Sequence, residues 1–130
     1  MYKRVRFFST EESFIRESAL IIKTIARDSL RKRRNFNLAL SGGSTPRGLY
    51  SWLGTNNFIP RRYWRKTNLW WADERFVPYS SPLSNYGNFL TSFLRKQLFR
   101  ENNLHPVPTD LTSPAEAAIV YEKLILDAIK

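Results

Sequence analysis

Two short apolar runs, each ending on a polar loop, limit what this chain can fold into. Phe36-Asn37-Leu38-Ala39-Leu40 runs into Ser41-Gly42-Gly43-Ser44-Thr45-Pro46, and Thr67-Asn68-Leu69-Trp70-Trp71-Ala72 runs into Asp73-Glu74-Arg75. Both runs are brief and bounded by turn-forming or charged residues, so they read as buried strands rather than helices. Between them Arg47 to Leu53 steps helically and is closed by Gly54 and the polar Thr55-Asn56-Asn57. Strand, helix, strand is the pattern of a parallel crossover, which places the chain among α/β folds.

The rest of the sequence extends that pattern. Lys3 to Phe8 reads as a short extended opening, followed by Ser9-Thr10-Glu11-Glu12, in which Ser9 and Glu12 are spaced as a capping box. A helix is expected after it, with Ile15, Ala19, Ile22, Ile25 and Ala26 along one face. Asp73 to Asn85 holds Pro78, Pro82 and the serines Ser80, Ser81 and Ser84, and reads as a loop. From Tyr86, the residues Phe89, Leu90, Phe93, Leu94 and Leu98 step helically, with Ser84 or Asn85 as cap. Leu104 to Pro108 is a short extended piece, and Ser113-Pro114-Ala115-Glu116 joins a capping box to a proline at the first helical position. The expectation is one domain over residues 1–130, a mostly parallel sheet with flanking helices in a Rossmann-like three-layer arrangement.

At 130 residues, with 42% apolar content, the chain can fill a single core. The absence of cysteine excludes disulfides and thiolate metal sites, and no apolar run is long enough to span a membrane, so a cytoplasmic protein is expected. The formal charge of +10 favours anionic partners. Its densest run, Arg31-Lys32-Arg33-Arg34, falls where a helix should end and is read as complementing the helix dipole, not as a nucleic-acid contact, because no aromatics interleave with it. Arg61, Arg62, Arg65 and Lys66, around Tyr63 and Trp64, read as a solvated connection.

The glycine loop points to anion chemistry. Adjacent glycines permit positive φ and close backbone approach, and the first turn of the following helix offers unpaired amides and a positive dipole end. Ser41, Ser44 and Thr45 add hydroxyls, with Pro46 expected to open the helix and Ser44 or Thr45 to cap it. The loop is neither a Walker A sequence nor a G-x-G-x-x-G fingerprint, which argues against nucleoside triphosphates and NAD. Arg75, at the second strand's end, has the planar fork that suits a phosphate, and Asp73 or Glu74 is placed to orient that Arg or to handle a proton.

Together, LALSGGSTPRGLY and LWWADERFVPYSSPLSNYGNF resemble the amino-terminal half of the 6-phosphogluconolactonases, within the superfamily of sugar-phosphate isomerases and lactonases. The likeness extends over LHPVPTD and AAIVYEKLI. In the related glucosamine-6-phosphate deaminases/isomerases the matching acidic pair is typically followed by Tyr, so Arg75, Val77, Pro78 and Ser84-Asn85-Tyr86 favour the lactonases. The resemblance implies hydrolysis of 6-phospho-D-glucono-1,5-lactone to 6-phosphogluconate in the pentose phosphate pathway, without metal or cofactor. It implies that Gly42, Gly43, Ser44 and Thr45 surround the substrate, that Arg75 binds its phosphate or hydroxyl-bearing portion, and that Asp73 borders the sugar ring as the one catalytic candidate. The family's general base is a histidine in a Gly-x-Asp-Gly-His motif, and the sequence stops at Lys130 before such a motif. The expectation is therefore a truncated chain: a lactonase whose activity in these 130 residues is open, or, as alternatives, a catalytically incomplete module that binds sugar phosphates or a glucosamine-6-phosphate deaminase/isomerase-like enzyme. The single histidine, His105, matches a non-catalytic segment and is expected to be structural or surface. Ile119, Leu124, Ile125, Leu126 and Ile129 on the last helix are expected to form an apolar patch that invites association.

Overall fold

The computed structural model describes residues 5–93 and 96–129. Three parallel strands, β1 (Phe36–Leu40), β2 (Thr67–Trp71) and β3 (Leu104–His105), lie in the order β1-β2-β3. Their register pairs Phe36 with Thr67, Leu40 with Trp71 and Trp70 with His105. β2 is buried at every position, as a central strand covered on both faces must be. On β1, Phe36 and Leu40 are buried while Asn37 and Ala39 are exposed.

Five helices connect and cover the strands: α1 (Glu11–Lys32), α2 (Ser44–Thr55), α3 (Arg61–Trp64), α4 (Asn85–Ser92) and α5 (Pro114–Ile129). Alternation along the strands separates the two faces of the sheet. Leu40, Leu69 and Trp71 join Ala19 of α1, Leu49, Tyr50 and Leu53 of α2 and Phe89 of α4 in the main core. Its aromatics meet edge-on, Trp71 against Phe89 at 5.6 Å and Tyr50 against Phe89 at 5.4 Å. Each large side chain removed from water there contributes about 1.5–3 kcal/mol. Trp70 points the other way, stacks on His105 at 4.1 Å and meets Tyr121 of α5. The Tyr121 hydroxyl donates to His105 O at 3.0 Å and accepts from Trp71 N at 2.8 Å, which fastens α5 to the sheet. Helices on both faces make the α/β three-layer architecture that strand-helix-strand patterning predicts.

Four local features differ from expectation. Val5–Phe8 is not a strand; Lys3 and Arg4 of that stretch lie outside the described residues, as does Leu94 of the expected helical stripe. The cap of α1 is Thr10, whose side chain accepts from Ser13 N, because Glu12 turns outward to pair with Arg16 at 2.8 Å instead of completing a box with Ser9. Ile25, placed by spacing on the packed face, is exposed, while Ala19 and Ala26 carry that face. Residues 61–66, expected to be a connection, contain α3, whose Trp64 is buried against Phe93 and Phe99. On α5, Ile119, Leu124, Leu126 and Ile129 are exposed as expected, and Ile125 is half-buried.

Candidate functional site

β1 and β2 are parallel, so Leu40 and Trp71 end side by side, and Ala72 N donates to Leu40 O at 2.8 Å just past them. The two loops that follow therefore leave the sheet at the same edge, where ligands bind in open α/β sheets.

The first loop is held by two side chains, Tyr50 and Asn85. The Tyr50 hydroxyl, nine residues on and inside α2, donates to Ser41 O at 2.8 Å, and burial pushes the Tyr50 hydroxyl pKa up, with the Asp73 carboxylate adding to the rise. Gly42 lies so close to Asn85 that a Cβ at that position would overlap the Asn85 amide group. Gly43 takes φ 103° and ψ 175°, a region essentially reserved for glycine that costs a side-chain-bearing residue about 1–3 kcal/mol. These two glycines are needed for different reasons: Gly42 for space, Gly43 for conformation.

The helix start differs from the sequence-based expectation. Gly43 is the N-cap of α2, and Ser44 and Thr45 are its first helical residues, so neither hydroxyl caps it. Pro46 falls later in the first turn, where a missing N–H removes no helical hydrogen bond. With Gly43 as cap and no acidic residue in the first turn, α2 begins without a side-chain acceptor. α1, α4 and α5 each begin with a hydroxyl acceptor: Thr10, Ser84 and Ser113. The first-turn amides of α2, together with the exposed Ser44 and Thr45, form a set of donors suited to a bound anion.

The second loop is fixed by Glu74. One carboxylate oxygen accepts from Arg75 N at 2.8 Å and Asn85 N at 2.6 Å, the other from Tyr86 N at 2.9 Å and Ser84 Oγ at 3.1 Å. A carboxylate so occupied at the positive end of α4 is a structural cap. Glu74 thus holds Arg75 through its backbone amide. Asn85 Nδ2 donates to Asp73 O at 3.1 Å, so one amide group touches both Gly42 and the Asp73 backbone. Further on, Gly87 passes so close to Tyr79 O that a Cβ would overlap it, the Tyr79 hydroxyl donates to Val107 O at 2.7 Å, and Thr109 Oγ1 donates to Val77 O at 2.7 Å. The proline- and serine-rich segment has no regular structure, yet it is tied down at both ends.

The structure brings Gly42, Gly43, Ser44, Thr45 and the Asp73 backbone to one edge. Asp73 is exposed, and its carboxylate makes no hydrogen bond or ion pair among the described residues. Arg75 is exposed too, but it borders a cavity of about 250 Å³ on the α5 side, with Trp71, Thr109, Ala118 and Tyr121. Glu74, expected to orient Arg75, does so through the Arg75 amide, while Asn85, expected only as a possible helix cap, braces Gly42 and Asp73 O, a contact that no local sequence pattern signals. His105 is stacked on Trp70, with its Nε2 buried and without a partner among the described residues, and burial lowers its pKa.

Residues 9–130 match the family described as glucosamine-6-phosphate isomerases/6-phosphogluconolactonase. A 6-phosphogluconolactonase of Nostoc sp. is 33% identical over 123 residues, covering 95% of this chain and 50% of the relative. The human GDH/6PGL endoplasmic bifunctional protein is 38% identical over 101 residues, covering 77% of this chain and 12% of that one. Among solved structures, the 6-phosphogluconolactonase from Trypanosoma cruzi superposes with a TM-score of 0.80 at 27% identity, over 95% of this chain and 50% of that one. The chain spans about half the length of the lactonases it matches in full.

Proposed function

Because the chain belongs to the family of glucosamine-6-phosphate isomerases and 6-phosphogluconolactonases, we propose that the loop Gly42–Thr45 holds an anionic group of a six-carbon sugar phosphate, as the anion-binding part of a lactonase site. The observation that carries this reading is the start of α2: a left-handed Gly43 cap and open first-turn amides, held against Asn85 at the edge where Asp73 emerges. Six-carbon phospholactones present two such groups, the phosphate and the oxyanion that develops on the lactone carbonyl.

In the lactonase reaction, water adds to the carbonyl carbon of 6-phospho-D-glucono-1,5-lactone. The tetrahedral oxyanion collapses, the ring C–O bond breaks, and the ring oxygen takes a proton to give 6-phosphogluconate. Donors aimed at the oxyanion lower its energy most when they are fixed beforehand, and Tyr50, Asn85 and Glu74 fix this loop without spending its first-turn amides. Arg75 is the candidate for the remaining hydroxyls or the phosphate, reached from the α5 side, and Asp73 borders the ring. The Arg that follows the acidic pair favours the lactone over an amino-sugar substrate.

Binding without hydrolysis is a second reading with its own observation. The single histidine, His105, is stacked on Trp70 at 4.1 Å and its Nε2 is buried without a partner among the described residues, which favours a structural role for it. Calorimetric titration with 6-phosphogluconate tests the shared part: saturable binding weakened at least about tenfold in Arg75→Ala, one lost charge-assisted pair, supports it. Equal binding by both proteins refutes the role of Arg75. Lactone hydrolysis above the spontaneous rate decides for the enzyme, and no acceleration decides for the binding module.

A further inference from the structure

At the opposite end of the sheet from the glycine loop, the fold joins two basic runs that the sequence keeps apart. One hollow, of about 380 Å³, lies between the end of α1 and α3 and is lined by Arg27, Arg31, Arg62 and Lys66 together with Leu30 and Tyr63. A second, of about 710 Å³, adjoins it through Lys66 and is lined by Arg34, Arg65 and Arg100, with Glu101 its one carboxylate. Every one of these cations is exposed, and among the described residues only Arg27 is in an ion pair, with Asp28 at 2.9 Å. The dipole of α1 accounts for cations in its last turn, but not for Arg62, Arg65, Lys66 and Arg100, which come from other elements.

We propose that these two hollows form one groove that binds the backbone of single-stranded nucleic acid. Guanidinium and ammonium groups lining two hollows that share Lys66, all but Arg27 without an ion pair among the described residues, match a chain of phosphates better than one small anion. The run 31–34 has no aromatic neighbour in sequence, but α3 supplies one in space: the Tyr63 ring carries the Arg62 guanidinium at 5.2 Å, and with Leu30 beside it the smaller hollow offers a base a guanidinium plane backed by an aromatic wall. Inorganic polyphosphate has no use for that wall, and an anionic membrane surface is flat where this site is concave. The groove is independent of the sugar-phosphate site and does not depend on any lactonase activity.

Fluorescence anisotropy with a labelled oligouridylate of about 12 nucleotides tests it. Binding should be saturable at low salt, and four phosphate contacts predict a slope of log K against log salt near about −3. The double variant Arg62→Glu/Lys66→Glu should lose at least about tenfold in affinity, while Arg16→Glu/Lys123→Glu, with the same charge change elsewhere, should lose less than about threefold. Arg62→Gln/Lys66→Gln provides the same comparison if the reversed pair does not fold, with unchanged circular dichroism as the criterion. Equal losses in both doubles, a salt-independent affinity, or binding only to inorganic polyphosphate or anionic vesicles would overturn the proposal.

Discussion

The Glu74 carboxylate accepts from the backbone amide of Asn85 at 2.6 Å, and through this bond the end of β2 and the start of α4 become one unit. The side chain of the same Asn85 lies against Gly42, so the glycine loop is braced by a residue more than forty positions away in sequence. The Glu74 carboxylate keeps the end of β2 and the start of α4 in register.

Glu74→Ala is therefore expected to cost about 2–3 kcal/mol, the scale of hydrogen bonds to a charged acceptor left without their partner. Urea denaturation followed by circular dichroism measures it. Glu74→Gln should lie between, since an amide keeps one acceptor oxygen but not two. A midpoint unchanged in Glu74→Ala would remove the cap from the account.

The two glycines should respond differently to alanine. Gly42→Ala places a methyl group into the Asn85 amide, whereas Gly43→Ala meets open space and is penalised through its backbone conformation alone, by about 1–3 kcal/mol. Asn85→Ala made together with Gly42→Ala should recover part of the loss, while Asn85→Ala should give Gly43→Ala no such relief. A double-mutant cycle reads this as a coupling of about 1 kcal/mol or more for the first pair and near zero for the second.

Tyr50→Phe removes the donor to Ser41 O and leaves the aromatic packing on Phe89 in place. The expected loss of stability is about 1 kcal/mol, with a larger proportional loss in affinity for 6-phosphogluconate, since the bond shapes the loop and not the core. Loss of stability with unaltered affinity would show that the hydroxyl serves packing only.

Much of this was legible in the sequence. Phe36–Leu40 and Thr67–Trp71 were readable as strands because both are short, apolar and sharply bounded, and Ser84 and Pro114 marked helix starts through local chemistry alone. What was not legible depends on tertiary contact. Val5–Phe8 has strand-like composition but no strand to pair with among the described residues, and strand formation needs one. The start of α2 moved because the Gly43 conformation, not a side-chain cap, sets it. α3 is a single turn and carries no period to detect. Glu74 could not be read as a cap because the helix it caps begins eleven residues later, beyond a loop with no regular pattern.

His105 gives a pH dependence with a definite sign. Burial lowers its pKa below the ordinary 6.5, so the unfolded chain binds the proton more readily than the folded one in the window between the two values. Stability from the neutral imidazole is present above pH 6.5 and falls as pH drops through that window. Thermal melts of the wild type and of His105→Gln across this range should differ in slope, with the variant flatter. Parallel curves would place the imidazole in a less desolvated setting than its stacking on Trp70 implies.

The central claim is that the open start of α2 holds an anionic group of a sugar phosphate. Nitrogen-15 amide spectra recorded during titration with 6-phosphogluconate test it most directly. The account predicts saturable shifts concentrated at Gly42, Gly43, Ser44, Thr45 and Arg47, abolished in Gly43→Ala while the remaining spectrum is preserved. Shifts confined to the basic groove around Lys66, or no saturable shift at the glycine loop, would contradict it.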